Sequence, residues 1–309
     1  MTTAAKSTRA ARLTGRGLAV AGAVALLAGC VPQQVKVPAD VRAALASVSV
    51  LPADLYLAHG ISVNRCLNRA GFDIPFDASS SLTNATRHVA VGVVGVFPSE
   101  RSARENGYNT TFEDEGSTSL EDFQAGLSSA DRDRFDKALW GPEDAPRETL
   151  VVDNGMEFAK STVGCAADAD GAVYGSVRDA MMLELFANDV GTQTQAYRGD
   201  FDATLKELMP EYESCMSAAG HDVEGLTAPQ VAEATFGHYR ATGSRPSADE
   251  STMAVADFRC QSSVQLAEKL EDLFVERASV WLVENKDRIL QLSENLDESL
   301  SRARSIING

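Results

Sequence analysis

Four cysteines are the residues whose type and spacing say most about chemistry. Glu213-Ser214-Cys215-Met216-Ser217-Ala218-Ala219-Gly220-His221-Asp222 repeats the plan of Asn64-Arg65-Cys66-Leu67-Asn68-Arg69-Ala70-Gly71-Phe72-Asp73. Each copy runs Cys, large apolar, small polar, any residue, Ala, Gly, any residue, Asp. That is the form of a last helical turn stopped by a left-handed glycine, and each copy is followed downstream by one more cysteine, Cys165 or Cys260. Such thiols can cross-link or hold a metal. The chain has no CxxC, and none of His59, His88, His221 and His238 stands at ligand spacing to a cysteine pair, so neither metal nor cofactor is expected. Of the three connectivities open to four cysteines, the repeat favours Cys66 with Cys165 and Cys215 with Cys260.

The fifth cysteine belongs to a different segment. A basic stretch ending at Arg16 precedes the apolar run 17–29, which is too short to span a bilayer and right for a secretory leader. The run closes on Leu27-Ala28-Gly29-Cys30, which resembles the lipobox of bacterial lipoproteins, where the cysteine thiol is acylated and becomes the first mature residue. Residues 1–29 are therefore expected to be a signal peptide, Cys30 the lipidation site, and 30–39 an extended tether broken by Pro32 and Pro38. Two acyl chains anchor stably where one is marginal, each buried CH₂ contributing about 0.8 kcal/mol. Export also places the other four thiols where disulfides persist.

Charge narrows the partners. Lys and Arg number 28 against 44 Asp and Glu, and four of the basic residues, Lys6, Arg9, Arg12 and Arg16, lie in the leader. The mature surface is strongly acidic, which repels nucleic acid and anionic headgroups. Attachment to the membrane must come from lipid. No catalytic grouping stands out: GxSxG, HExxH, SxxK and phosphate-cradling glycine loops are absent, and carboxylates are too abundant for any pair to be nominated from sequence. No catalytic residue is expected, and the chain reads as a non-enzyme.

The elements that carry these residues are mostly helical. Helical spacing begins near Asp40, breaks at Pro52 and resumes from Ala53 to Ala70. Val89, Val91, Val93 and Phe97 alternate as in a strand, and a short helix capped by Ser99 and stopped by Gly107 follows. Helices fit 120–127 and 130–140, then Asp153-Asn154-Gly155 between two apolar runs predicts a tight hairpin, giving three strands with the Val89 segment. The acidic run 113–116 and Asp168-Ala169-Asp170-Gly171 both lack the ligand pattern of a calcium loop. Beyond Cys165 a helix runs from Val173 to about Gly191, and a second from Asp200 to Ala219. Thr227-Ala228-Pro229-Gln230 predicts a capping box and a helix to about Ala241. A second box at 247–250 opens the longest helix, running toward Ile307.

In that helix Val275, Leu282, Ile289, Leu296 and Ala303 recur every seven residues, with Leu292 beside them. The plain reading is a helix packed on its own domain. The sharper one is an interaction seam of Leu282, Ile289, Leu292 and Leu296 for a partner helix or a second copy. The fold expected is mainly α with a small antiparallel sheet (α+β): helical hairpins cross-linked by two disulfides, with a long C-terminal helix. Its halves are 40–190, containing Cys66–Cys165, and 191–309, containing Cys215–Cys260.

The lipobox, the 93–108 segment ending in Asn106-Gly107-Tyr108, Val163-Gly164-Cys165, the Cys215-Met216 turn and the run Ala254-Val255-Ala256-Asp257-Phe258-Arg259-Cys260 together resemble a group of actinobacterial secreted lipoproteins. Members are often encoded near exporter-type ABC transporters and peptidoglycan-binding proteins. The resemblance implies a lipid-anchored protein on the outer face of the cell membrane, serving as a scaffold or accessory in an envelope or transport complex. The group has no assigned reaction, so it transfers no catalytic residues. A solute- or peptidoglycan-binding lipoprotein is the alternative, and an envelope hydrolase the third.

Overall fold

The computed structural model describes residues 35–49, 51–74, 97, 99–108, 120–237 and 246–309. The leader and Cys30, the Val89 strand with His88, the 113–116 run and His238 lie outside the described residues. Within them the chain is mainly helical, with thirteen helices and one two-stranded antiparallel sheet.

Proline opens the first two helices. Pro38 and Pro52 stand at the caps of α1 (Ala39–Val48) and α2 (Ala53–Arg69), where their fixed φ and missing N–H cost nothing. In α3 (Glu100–Asn106) the Ser99 hydroxyl accepts the Ser102 amide at 3.0 Å, and Gly107 ends it. Next come α4 (Leu120–Ala125) and α5 (Ser129–Trp140), the latter capped by Ser128. Strands β1 (Arg147–Val151) and β2 (Glu157–Ser161) pair from Val151 with Glu157 to Arg147 with Ser161, around the expected turn. Leu150 and Val152 turn inward onto Met181.

The second half departs from sequence expectation where breaks lack strong punctuation. The helix expected through Val173 is two, α6 (Cys165–Tyr174) and α7 (Val177–Ala196), separated at Gly175 and recapped by Ser176. Gly191 lies inside α7. Pro210 sits within α8 (Arg198–Ala218). The capping box at Thr227 does not form: its hydroxyl accepts the Glu224 amide at 3.2 Å instead, and α9 (Ala228–Phe236) stops at Gly237. The long C-terminal helix is four segments, α10 (Ala248–Ser263), α11 (Leu266–Arg277), α12 (Ser279–Glu284) and α13 (Lys286–Asn308). Gln265 takes the left-handed conformation, with φ 55°, at the first break.

The cysteine repeat is a structural repeat. Gly71 and Gly220 have φ of 91° and 90°, which glycine adopts without Cβ strain. Behind them Phe72 N donates to Leu67 O at 3.1 Å, and His221 N to Met216 O at 3.0 Å, the same closing bond in both copies. Leu67 and Met216, the residues after each cysteine, are fully buried. Disulfides join Cys66 to Cys165 and Cys215 to Cys260, with Cα separations of 5.5 and 5.6 Å. These are the two favoured pairings.

The described residues nevertheless pack as one compact unit. The boundary expected between 190 and 191 falls inside α7, and α13 lies against that helix and against α1, α2 and α6 of the first half. Leu282, Ile289, Leu292 and Leu296 are at most 3% exposed and belong to the main core. The interaction seam is thus corrected to an internal one: the heptad residues meet the chain's own helices. A smaller cluster of Val63, Leu67, Phe72, Phe135 and Leu139 surrounds the Cys66–Cys165 bond.

Candidate functional site

Burying a carboxylate is costly unless it is paired and hydrogen-bonded, so buried acids mark places where a fold commits polar groups. Asp170, Asp189 and Asp257 are at most 1% exposed.

Asp170 sits in α6, on the 168–171 segment that lacks the ligand pattern of a calcium loop. It is interior helix. Its Oδ1 lies 3.2 Å from His59 Nε2 on α2, and its Oδ2 lies 3.0 Å from Lys160 Nζ on β2. The same ammonium reaches Glu184 Oε2 on α7 at 3.1 Å. Burial works to lower the Lys160 pKa, but Glu184 and Asp170 outweigh it and hold the amine above its usual value. Tyr174 packs beneath, its ring 6.5 Å from that of His59, and burial together with Glu184 pushes its hydroxyl up. Tyr56 is 39% exposed at the rim, and its hydroxyl is also raised, first by burial and then by Glu184. Arg302 from α13 donates to the carbonyls of Val173 and Tyr174 at 2.9 and 2.8 Å, satisfying the end of α6 where a cation is favoured.

The result is a half-exposed polar surface of Tyr56, His59, Lys160 and Glu184 over a buried Asp170. Chemically it offers a histidine oriented by a carboxylate, the arrangement of a general base. The nearby Ser62 hydroxyl is committed to Ala58 O at 2.8 Å, so it supplies no free nucleophile. Lys160 occupies the space between the two carboxylates, and among the described residues no group of His, Cys, Asp and Glu is placed to hold a metal ion.

Asp189 on α7 accepts the Asp153 amide at 2.7 Å and pairs with Arg288 of α13. Asp153, in the hairpin turn, also accepts from Trp281 Nε1, so the turn is tied to α12. Asp257 accepts from Tyr108, Tyr212 and Gln261. The three sites share a plan: each joins elements far apart in sequence. Sequence reading nominated none of them, because 44 acids give no basis for choosing three whose partners lie up to 149 positions away.

Lys160→Met tests whether Asp170 depends on its cation. The substitution leaves a buried carboxylate with His59 alone and is expected to cost about 3 kcal/mol at neutral pH, the low end of the range for breaking a buried pair, since Lys160 is 32% exposed. Urea unfolding at neutral pH measures the loss. A loss below about 0.5 kcal/mol would show that the pair contributes no more than a surface contact.

Comparison with protein-family models, with curated proteins and with solved structures gives no match to this chain.

Proposed function

We propose that the chain is an exported, lipid-anchored helical protein that acts as a non-enzymatic scaffold or accessory of a cell-envelope or ABC-transport complex on the outer face of the membrane. The observation that carries this reading is the joint use of five cysteines. One ends an apolar leader in a lipobox-like sequence, and the other four close into two disulfides. Disulfides persist in oxidising compartments, which agrees with export. The buried acids serve to fasten helices, which suits a rigid body better than a catalyst. No described helix is long and apolar enough to cross a membrane, so in this reading the lipid supplies the attachment.

The experiment is Cys30→Ala in cells. The variant should leave the membrane fraction as released protein, or accumulate as unprocessed precursor. Retention at mature size and at the wild-type level would contradict lipid anchoring. The alternative, a solute- or peptidoglycan-binding lipoprotein, draws support from the half-exposed Tyr56, His59, Lys160 and Glu184, where aromatic and charged groups meet solvent together.

A further inference from the structure

Asp257 differs from the other buried aspartates in its company. Asp170 has Lys160 and Asp189 has Arg288, whereas among the described residues no lysine or arginine pairs with Asp257, which is 0% exposed. Its hydrogen bonds come from neutral donors on three elements. Tyr212 on α8 donates its hydroxyl to Oδ1 at 2.8 Å, and Gln261, one turn along α10, donates its amide to the same oxygen at 2.7 Å. Tyr108, just after α3, donates its hydroxyl to Oδ2 at 3.0 Å. The titratable groups around them are His221 beyond α8, Glu213 on α8, and Glu250 on α10, which accepts the Tyr108 amide at 2.9 Å. His221 Nε2 is buried and makes no hydrogen bond among the described residues.

The Tyr108 hydroxyl has two acceptors within reach, Asp257 Oδ2 and the Met253 carbonyl at 3.4 Å. With Asp257 ionised, it donates to the carboxylate. With a proton added on Oδ2, the new O–H donates to the Tyr108 oxygen, and the Tyr108 hydrogen turns to Met253 O. One proton enters, one O–H bond forms, and no donor loses its partner in either state. The ionised state, in contrast, holds a charge away from water with no lysine or arginine beside it.

We infer that Asp257 is a proton-operated clasp, whose protonation on acidification fastens α3 against α10 and α8. Of the other polar ties of 99–108 to α10, the Glu250 carboxylate accepting the Tyr108 amide is buried, while the Glu100–Arg259 pair and the Ser251 hydroxyl to Arg104 O lie at the surface, where such contacts contribute little. The segment 99–108 should therefore report the state of Asp257. Burial pushes the Asp257 carboxyl above its ordinary 3.8, and the bonds from Tyr212, Gln261 and Tyr108, with His221 opposite, pull it down by less. The folded chain thus binds this proton more tightly than the unfolded chain. The resulting stabilisation is complete below 3.8 and is lost as pH rises through the folded value.

The test combines a carbon NMR titration of the Asp257 carboxyl with hydrogen exchange of 99–108 in the disulfide-intact protein, corrected for intrinsic rates. The carboxyl should titrate above 3.8, and protection of 99–108 should rise as it protonates. Asp257→Asn is neutral at all pH values, and its amide can donate to the Tyr108 oxygen, so the rise in protection that follows the Asp257 midpoint should vanish. Tyr108→Phe keeps the ring and removes one donor to the ionised form, so the Asp257 midpoint should move further upward. A midpoint at or below 3.8, or pH-dependent protection of wild-type size in Asp257→Asn, overturns the inference. Should Asp257→Asn fail to fold, an unmoved midpoint in Tyr108→Phe overturns it alone.

Discussion

Ile289→Asp will unfold the protein. Ile289 is 0% exposed in the main core, between Leu282 one heptad before and Leu296 one heptad after. Removing a buried isoleucine side chain costs roughly 2–5 kcal/mol. An unpaired carboxylate in its place adds several more, whether it stays charged or takes up a proton. The sum rivals the 5–15 kcal/mol that separates a typical folded domain from its unfolded chain. Far-UV circular dichroism should show lost helix at room temperature. Val280→Asp, at a residue of α12 that is 43% exposed, should move stability by only about 0.5 kcal/mol. An Ile289→Asp protein with wild-type helix content and melting temperature, altered only in what it binds, would mean that the seam faces a partner after all.

Removing the cross-links ranks next. Cys66→Ala with Cys165→Ala opens a loop of 99 positions, and Cys215→Ala with Cys260→Ala one of 45. In the chain-entropy treatment these closures stabilise the fold by about 4.7 and about 4.0 kcal/mol, the longer loop more. The Cys66–Cys165 bond also sits inside its own apolar cluster with Phe72 and Phe135, so its loss should loosen that cluster first. Urea unfolding of the two double variants measures the losses. A loss below about 1 kcal/mol for either pair would mean that helix packing alone holds the elements together.

The legible parts of this fold are those set by local chemistry. Asn154-Gly155 announced the hairpin, Ser99 and Ser247 their helices, and Gly71 and Gly220 the paired stops, since each acts within four residues of itself. The Ser247 box was half right: its hydroxyl accepts the Glu250 amide, but the Glu250 carboxylate reaches across to Tyr108. The breaks at Gln265, Ala278 and Asn285 carry neither glycine nor proline, so three short turns read as one long helix. A heptad stripe looks the same whether its partner is another chain or α1, α2 and α6 of its own. The buried aspartates stayed hidden for a related reason. His59 and Asp170 stand 111 positions apart, and their meeting depends on how α2 and α6 are brought together by the Cys66–Cys165 bond and the packing around it.

As proposed, the mature chain lives outside the cytoplasm, held by lipid and locked by sequential disulfides. Non-reducing peptide mass mapping of the protein extracted from native membranes decides this. It should yield an N-terminal peptide that starts at an acylated Cys30, together with linked peptides joining Cys66 to Cys165 and Cys215 to Cys260. An unmodified Cys30 inside an uncleaved leader, or four free thiols in the native molecule, would contradict it.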